Sequence, residues 1–535
     1  MKLNLEGLAQ KEFWNEAKIE IPAFDMQAVR KETAKHPAWV HFGAGNIFRA
    51  FIADVQQELL EAGDVKTGII AVDTFDYDII DKIYTAFDHL TMAVYMYPDG
   101  TLKKKVIGSV TEAIKGCYED KVDFNRLKEI FREESLQMVS FTITEKGYAL
   151  NQADGGYLPV IVEDICDGPE KPNHAMSVLA ALLYERYQNG RAPLAVVSMD
   201  NCSHNGEKLA NAVLKIAREW EAKGFVDQGF LDYLIDESCI TFPWSMIDKI
   251  TPRPAQEVKA DLEALGMEEM EPIITSRNTY IAPFVNAEVP RYLIIEDKFP
   301  NGRPPLEKTK GVYLTDRETV NNTERMKVTT CLNPLHTALA VYGCLLGYSS
   351  IAEEMKDEQL KALVERIGYQ EGMPVVVHPG ILDPLEFIHE VVDVRLPNPF
   401  IPDMPQRIAT DTSQKVGIRF GETIKAYVNS PDLEVSQLVG IPLAIAGWCR
   451  YLLGIDDRGQ AMELSSDPMQ AELKQMFSGV SLGQADTAFL KPLLSNEKIF
   501  GINLYEAGLG DRIEGYFSEL SAGAGAVRAT LKKYL

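Results

Sequence analysis

Residues 38–50 read Ala-Trp-Val-His-Phe-Gly-Ala-Gly-Asn-Ile-Phe-Arg-Ala. The apolar run from Ala38 to Phe42 stops at Gly43-Ala44-Gly45. Ile47, Phe51, Val55 and Leu59 then recur at steps of four, the spacing of one helix face. A second apolar run, Gly68 to Val72, ends at Asp73. Strand, glycine turn, helix and strand make the opening βαβ unit of a Rossmann-type, doubly wound parallel sheet, an α/β fold.

Working outward, residues 1–37 read as a polar leader with a helix from an Asp25 cap to Lys31. Met92–Tyr97 and Lys105–Val110 predict a hairpin across Pro98-Asp99-Gly100. Gln137–Ile143 and Leu194–Met199 predict further parallel strands, separated by helices such as Ala175–Gln188 and Glu207–Lys223. Past residue 285 the pattern changes. An exposed loop is expected over Asp297-Lys298-Phe299-Pro300-Asn301-Gly302-Arg303-Pro304-Pro305, and helical periods dominate from Pro334 onward. The expected organisation is a Rossmann-type domain with its leader over 1–285 and a mostly α-helical C-terminal domain over 286–535.

Composition narrows the function classes. The chain has 535 residues, with 54 Lys+Arg against 78 Asp+Glu and a formal net charge of −24. Such a balance argues against nucleic acid as a partner. The longest apolar run, Leu438–Cys449, is broken by Gly440, Pro442 and Gly447 and is too short to span a bilayer. No signal-peptide core is visible, and the seven cysteines form no C-x-x-C pair. A reduced, cytoplasmic setting and a small-molecule substrate are the expectation.

Gly43-Ala44-Gly45 sits where a dinucleotide pyrophosphate docks on a helix N-terminus, although Phe48 replaces the third glycine of G-x-G-x-x-G. Taken alone, the turn fits a packing role equally well. Asp73 ends the second strand, where a carboxylate holds adenosine ribose hydroxyls and repels a 2′-phosphate, which favours NAD over NADP. A solvated loop aspartate is the bland alternative. Farther along, Lys327, Asn333 and His336 cluster around a helix start at Asn333-Pro334, with Asn333 as the expected cap. A buried lysine can act as a base and an asparagine amide can donate to a developing alkoxide. By themselves these residues fit a solvated lysine, a capping amide and a packed histidine better.

Six ordered motifs decide more than any one of them. They are H-F-G-A-G-N-I-F-R-A (41–50), T-I-T-E-K-G-Y (142–148), S-M-D-N-C-S-H-N-G (198–206), S-M-I-D-K-I-T-P-R (245–253), E-R-M-K with N-P-L-H (324–327 and 333–336), and N-P-F-I-P-D-M-P-Q-R-I-A-T-D-T-S-Q-K (398–415). With these the chain resembles the polyol-specific long-chain dehydrogenase/reductase (mannitol dehydrogenase) family. The resemblance implies NAD as cofactor, held near Gly43, Gly45, Asn46 and Asp73, with Asp248 close to cofactor and substrate. It implies Lys327 as the acid/base, Asn201 and Asn333 as amides that polarise the carbonyl, and His336 as a substrate-orienting group. Glu145 and Glu324 match acidic residues linked to proton movement, and Arg407 and Lys415 match substrate-binding cations. The family needs no metal, and the sequence shows no clear zinc-ligand set.

Within the family, the chain length and N-P-L-H are more similar to the hexuronate branch. That implies reduction of fructuronate to mannonate, with tagaturonate reduction or mannitol oxidation as alternatives. One departure stands out. The family spacing is K-x4-N-x2-H, whereas five residues separate Lys327 from Asn333 here. At about 100° per residue, one regular helix would put Lys327 and His336 on opposite sides. A π-bulge or a break ahead of Asn333-Pro334 is therefore expected. The altered spacing also leaves a catalytically silent dinucleotide-binding protein as the non-enzyme alternative. Cys331, His204, His378 and His389 are expected to be structural, and Arg253 fits either a phosphate contact or a structural pair.

Overall fold

The computed structural model describes residues 1–535 apart from 153 and 484–486, in two compact units, Met1–Asn321 and Asn322–Leu535. The division falls well past the expected boundary at residue 285. Strands Phe284–Glu288, Tyr292–Glu296 and Val312–Thr315 pair with strands of the first unit and keep that stretch there.

The first unit is built on a six-stranded, all-parallel sheet. In spatial order its strands are Val110–Lys115, Ile69–Asp73, Trp39–Phe42, Met138–Phe141, Leu194–Ser198 and Ile240–Thr241. Numbered along the chain this is 3-2-1-4-5-6, the dinucleotide-fold order, whose ligand crevice lies beyond the carboxyl ends of strands one and four. Both faces are covered, so the central strands are mostly apolar rather than alternating; Trp39, Val40, Ile69, Ile70 and Val139 are fully buried. The helix Met26–Lys35 starts at the Asp25 cap. Helices Ala175–Gln188 and Asn205–Ala222 cover one side with Leu179, Leu183, Val213 and Ile216.

The expected hairpin exists with a shifted register. Thr91–Met96 pairs antiparallel with Leu102–Ile107 in a separate four-stranded sheet, and Val110 begins the next strand of the main sheet. Gly108-Ser109, between the two runs, lets one polypeptide leave one sheet and enter the other. A buried ionic cluster anchors this second sheet to helix Ala53–Ala62. Asp54 accepts from Lys105 at 2.8 Å, Arg291 at 3.0 Å and Tyr95 at 2.6 Å. Burial opposes ionisation of Asp54, but the two cations outweigh it and hold the carboxyl below its usual range.

The second unit is helical. At its centre Asn333–Leu346 packs on Gly440–Tyr451. Gly447 permits the approach, since a Cβ there would lie 2.6 Å from the Tyr342 ring, whose hydroxyl donates to the Leu443 carbonyl at 2.7 Å. Buried Glu371 accepts from the amides of Val439, Gly440 and Ile441 at 2.7–2.8 Å, placing negative charge on the helix N-terminus. Among the described residues no helix is long and apolar enough to cross a membrane.

Candidate active site

In the first unit, Gly43 leaves strand Trp39–Phe42 with φ +99°, and a Cβ there would meet the Thr142 carbonyl at 2.1 Å. Strands one and four pinch together at this point, and only glycine fits. At Gly45 the situation is reversed, since a Cβ would meet nothing within 4 Å. The second glycine therefore borders open space, beside the unsatisfied first amides of the helix that follows. Phe48, in place of the third glycine, is fully buried and stacks on His41 with ring centroids 4.2 Å apart. The helix accommodates it by opening into a π turn over Phe48–Ile52.

Asp73 is not a solvated loop residue. It is 7% exposed, and its Oδ1 accepts from the amides of Phe75 and Asp76 at 2.9 and 2.7 Å. Its Oδ2 accepts from Ala44 N at 3.3 Å, inside the glycine turn. Burial pushes the carboxyl up and the three amides pull it back, with the upward effect prevailing. Asn46 accepts from Arg49 at 3.4 Å. These positions fit a dinucleotide: an open glycine, orphan amides and a carboxylate at the ribose end.

His41 is a site residue that sequence reading did not single out. Its Nδ1 lies 2.6 Å from Ser140 Oγ and its Nε2 2.8 Å from Thr142 Oγ1, which in turn donates to the Gly43 carbonyl at 3.1 Å. Burial pulls its pKa down to about 3, so a neutral imidazole ties strand one, strand four and the glycine turn together. A histidine inside an otherwise apolar parallel strand was the available signal.

Asn201 follows strand Leu194–Ser198 on an exposed bend, and Asp248 ends strand Ser245–Asp248, largely buried. Asn205 holds these two segments in register. Its Nδ2 donates to the Asp200 and Ser245 carbonyls at 3.0 and 2.9 Å, and its Oδ1 accepts from Ser245 N at 3.0 Å. His204, with φ +52°, starts the helix and lies on Trp244 as part of that orienting turn. Beside Asn201, Asp200 accepts from the Tyr148 hydroxyl and from Ser198 Oγ at 3.3 Å, and burial pushes its carboxyl up to about 8. Glu145 lies on an exposed turn, ion-paired with Lys208.

In the second unit, Lys327 is 2% exposed and opens a π turn, Lys327–Cys331, after helix Arg317–Met326. Glu324 stands one turn earlier in that helix. Leu332 then breaks the helix (φ −133°, ψ −61°) before Asn333–Leu346 begins. Both expected devices are present in series, and they absorb the extra residue ahead of Asn333. The helix start differs by one position from the sequence reading: Leu332 is the cap and Asn333 the first helical residue, so the Asn333 amide is not used as a cap.

His336 lies within the same helix, and its Nε2 is 2.5 Å from Asp403 Oδ2. Asp403 also pairs with Arg407 through Oδ1. Burial works against this carboxylate, yet His336 and Arg407 hold it below its usual range. One acid thus links two of the expected site residues. Asp403 lay in a quoted motif, but only the fold shows its partners. Lys415 donates to the Thr410 and Ile408 carbonyls, the latter at 3.4 Å. Cys331 is buried, with its thiol pushed up to about 12, and is structural as expected. Among the described residues no cluster of His, Cys, Asp or Glu is arranged to hold a metal ion.

A six-stranded sheet in dinucleotide-fold order with an open glycine turn after its first strand is the architecture of a dinucleotide-binding domain, and the relatives make the chain a dehydrogenase. The chain belongs to the mannitol dehydrogenase family: residues 37–308 match the mannitol dehydrogenase Rossmann domain and residues 319–520 the mannitol dehydrogenase C-terminal domain. It is 54% identical over 536 residues to D-mannonate oxidoreductase of Thermotoga maritima, covering 100% of this chain and 99% of that protein. Among solved structures, mannitol 2-dehydrogenase of Pseudomonas fluorescens, in a ternary complex with NAD and D-mannitol, matches at TM-score 0.72 and 26% identity, covering 100% and 99% of the two chains. A D-sorbitol dehydrogenase shares the fold at TM-score 0.78 and 24% identity, covering 97% and 98%.

Proposed function

We propose that this chain reduces a keto-hexuronate to an aldonate, fructuronate to mannonate, with NADH as reductant, a lysine acid/base and no metal. The observation that carries the substrate is the 54% identity, over essentially its whole length, to a protein named D-mannonate oxidoreductase. Gly43, Gly45, Asn46 and Asp73 would hold the dinucleotide, with Asp73 favouring NAD over its 2′-phosphorylated form by charge repulsion. When bound, that cofactor supplies the hydride. Asp248 is assigned a place near cofactor and substrate.

Lys327 Nζ gives a proton to the oxygen of the reduced carbonyl and takes one from the hydroxyl in the reverse direction. The side-chain amides of Asn333 and Asn201 donate to the carbonyl oxygen and stabilise the alkoxide as charge develops. His336, fixed through Asp403, orients a substrate hydroxyl, and Glu324 and Glu145 pass protons to and from solvent. Arg407 and Lys415 bind substrate.

The test is NADH consumption at neutral pH with fructuronate, tagaturonate and fructose in parallel. A preference for fructuronate supports this assignment. A preference for tagaturonate or fructose moves the chain to another branch of the family. NADH binding without turnover of any of the three would favour the silent binding protein.

A further inference from the structure

Arg419 belongs to the π turn Gly417–Gly421, four residues after Lys415. Like charges at this spacing share a helix face and repel. Both side chains are half-buried, and among the described residues neither has a carboxylate within ion-pair distance. Arg419 donates to Thr337 Oγ1, on the residue next to His336, and that hydroxyl is neutral. Burial alone pulls the guanidinium down to about 10. Lys415 is lowered first by burial and then by Arg419, with Arg407 adding repulsion. Asp411 and Asp467 act on Lys415 from farther off. Asp467 is already committed to Ser413, at 2.5 and 2.9 Å, and to the amide of Met469 at 2.9 Å.

Two adjacent cations partly withdrawn from water, with no acid between them, are costly to the folded protein unless something anionic completes them. The neighbourhood already contains His336, Arg407 and Lys415, so the missing group is a part of the substrate. We propose that Arg419 and Lys415 form an anion subsite for the substrate's carboxylate, with Arg419 setting the preference for a uronate over a neutral ketose. This rests on the keto-hexuronate reading above. A guanidinium suits the role, since it meets a carboxylate with two parallel N–H donors and keeps its charge when partly buried.

The experiment compares kcat/KM for fructuronate and for fructose, a ketose of equal chain length without the carboxylate, in the wild type, Arg419→Gln and Arg419→Lys. Loss of one charge-assisted contact should raise KM for fructuronate about 10–100-fold in Arg419→Gln. The ratio of kcat/KM values, fructuronate over fructose, should fall at least tenfold, and Arg419→Lys should recover part of it. A parallel loss on both ketones, with the ratio within about twofold, overturns the proposal, as does a rise confined to KM for NADH. Should Arg419→Gln fail to fold, inhibition of wild-type fructose reduction by mannonate and by mannitol decides it. Mannonate binding at least tenfold tighter supports the subsite, and equal binding overturns it. A wild-type preference for fructose removes the underlying functional reading. A wild-type preference for fructuronate with an unchanged ratio in Arg419→Gln removes only the subsite.

Discussion

The backbone N–H of Leu332 donates to the carbonyl of Lys327, five residues earlier, at 3.1 Å. That bond closes the π turn, and the Leu332 backbone then leaves helical space before Asn333. The rotation of about 100° per residue that separates Lys327 from His336 on a regular helix does not hold through such a segment. The longer Lys–Asn spacing therefore does not by itself put Lys327 and His336 on opposite sides. The π turn also encloses Thr329, Thr330 and Cys331, all buried, so the irregularity is packed into the core.

Replacing Lys327 with alanine should lower kcat by about 10²–10⁴-fold, the range for loss of a positioned acid/base. NADH affinity, read by fluorescence titration, should stay within a factor of a few. Unchanged turnover would remove Lys327 from the chemistry.

Gly43→Ala and Gly45→Ala should fail in different ways. Alanine at 43 meets a carbonyl at 2.1 Å with positive φ, so thermal unfolding should report a loss of about 1–3 kcal/mol or more. Alanine at 45 has free space in the protein and should leave Tm nearly unchanged. It should still weaken NADH binding about tenfold or more, because the methyl fills the dinucleotide's place. Unimpaired NADH binding in Gly45→Ala would count against the assigned cofactor site.

Two aspartates should give opposite pH dependences of stability. Asp403 is held below its usual range by His336 and Arg407, so its contribution is present above the unfolded value of about 4 and is lost as pH falls through its folded value. The Tm advantage of wild type over Asp403→Asn should shrink on acidification below about pH 4. Asp200, pushed up to about 8, keeps its proton in the folded state where the unfolded chain has lost it, so stability falls as pH rises from about 4 to 8. Asp200→Asn should gain on wild type across that window. Parallel Tm curves for either pair would refute the corresponding assignment.

Thiol labelling should separate the cysteines. Cys331 is buried with its thiol pushed up to about 12, whereas Cys166 is exposed. Brief alkylation of the native protein at pH 8, followed by peptide mass spectrometry, should modify Cys166 and spare Cys331. Equal labelling would mean that the Lys327–Cys331 turn opens readily.

The sequence determined what local chemistry determines. Continuous apolar runs closed by Gly43-Ala44-Gly45 and by Asp73 required a covered parallel sheet with a glycine turn. The helical periods from Pro334 onward required helices. Both readings depend only on neighbours within a few positions, and motif order along the chain was enough to suggest the family.

Tertiary structure decided the rest, because it depends on residues far apart in the chain. Strands 284–288, 292–296 and 312–315 carry no mark of the partners that hold them in the first unit, so the boundary expected at 285 moved to 321. Asp403 is an ordinary motif acid until folding brings it to His336, 67 positions away by residue number. A π turn has the composition of an α-helix, and only packing against distant side chains decides where an extra residue is absorbed. That among the described residues no carboxylate lies within ion-pair distance of Arg419 or Lys415 is likewise a property of the folded surroundings, invisible in a chain with 78 carboxylates to choose from.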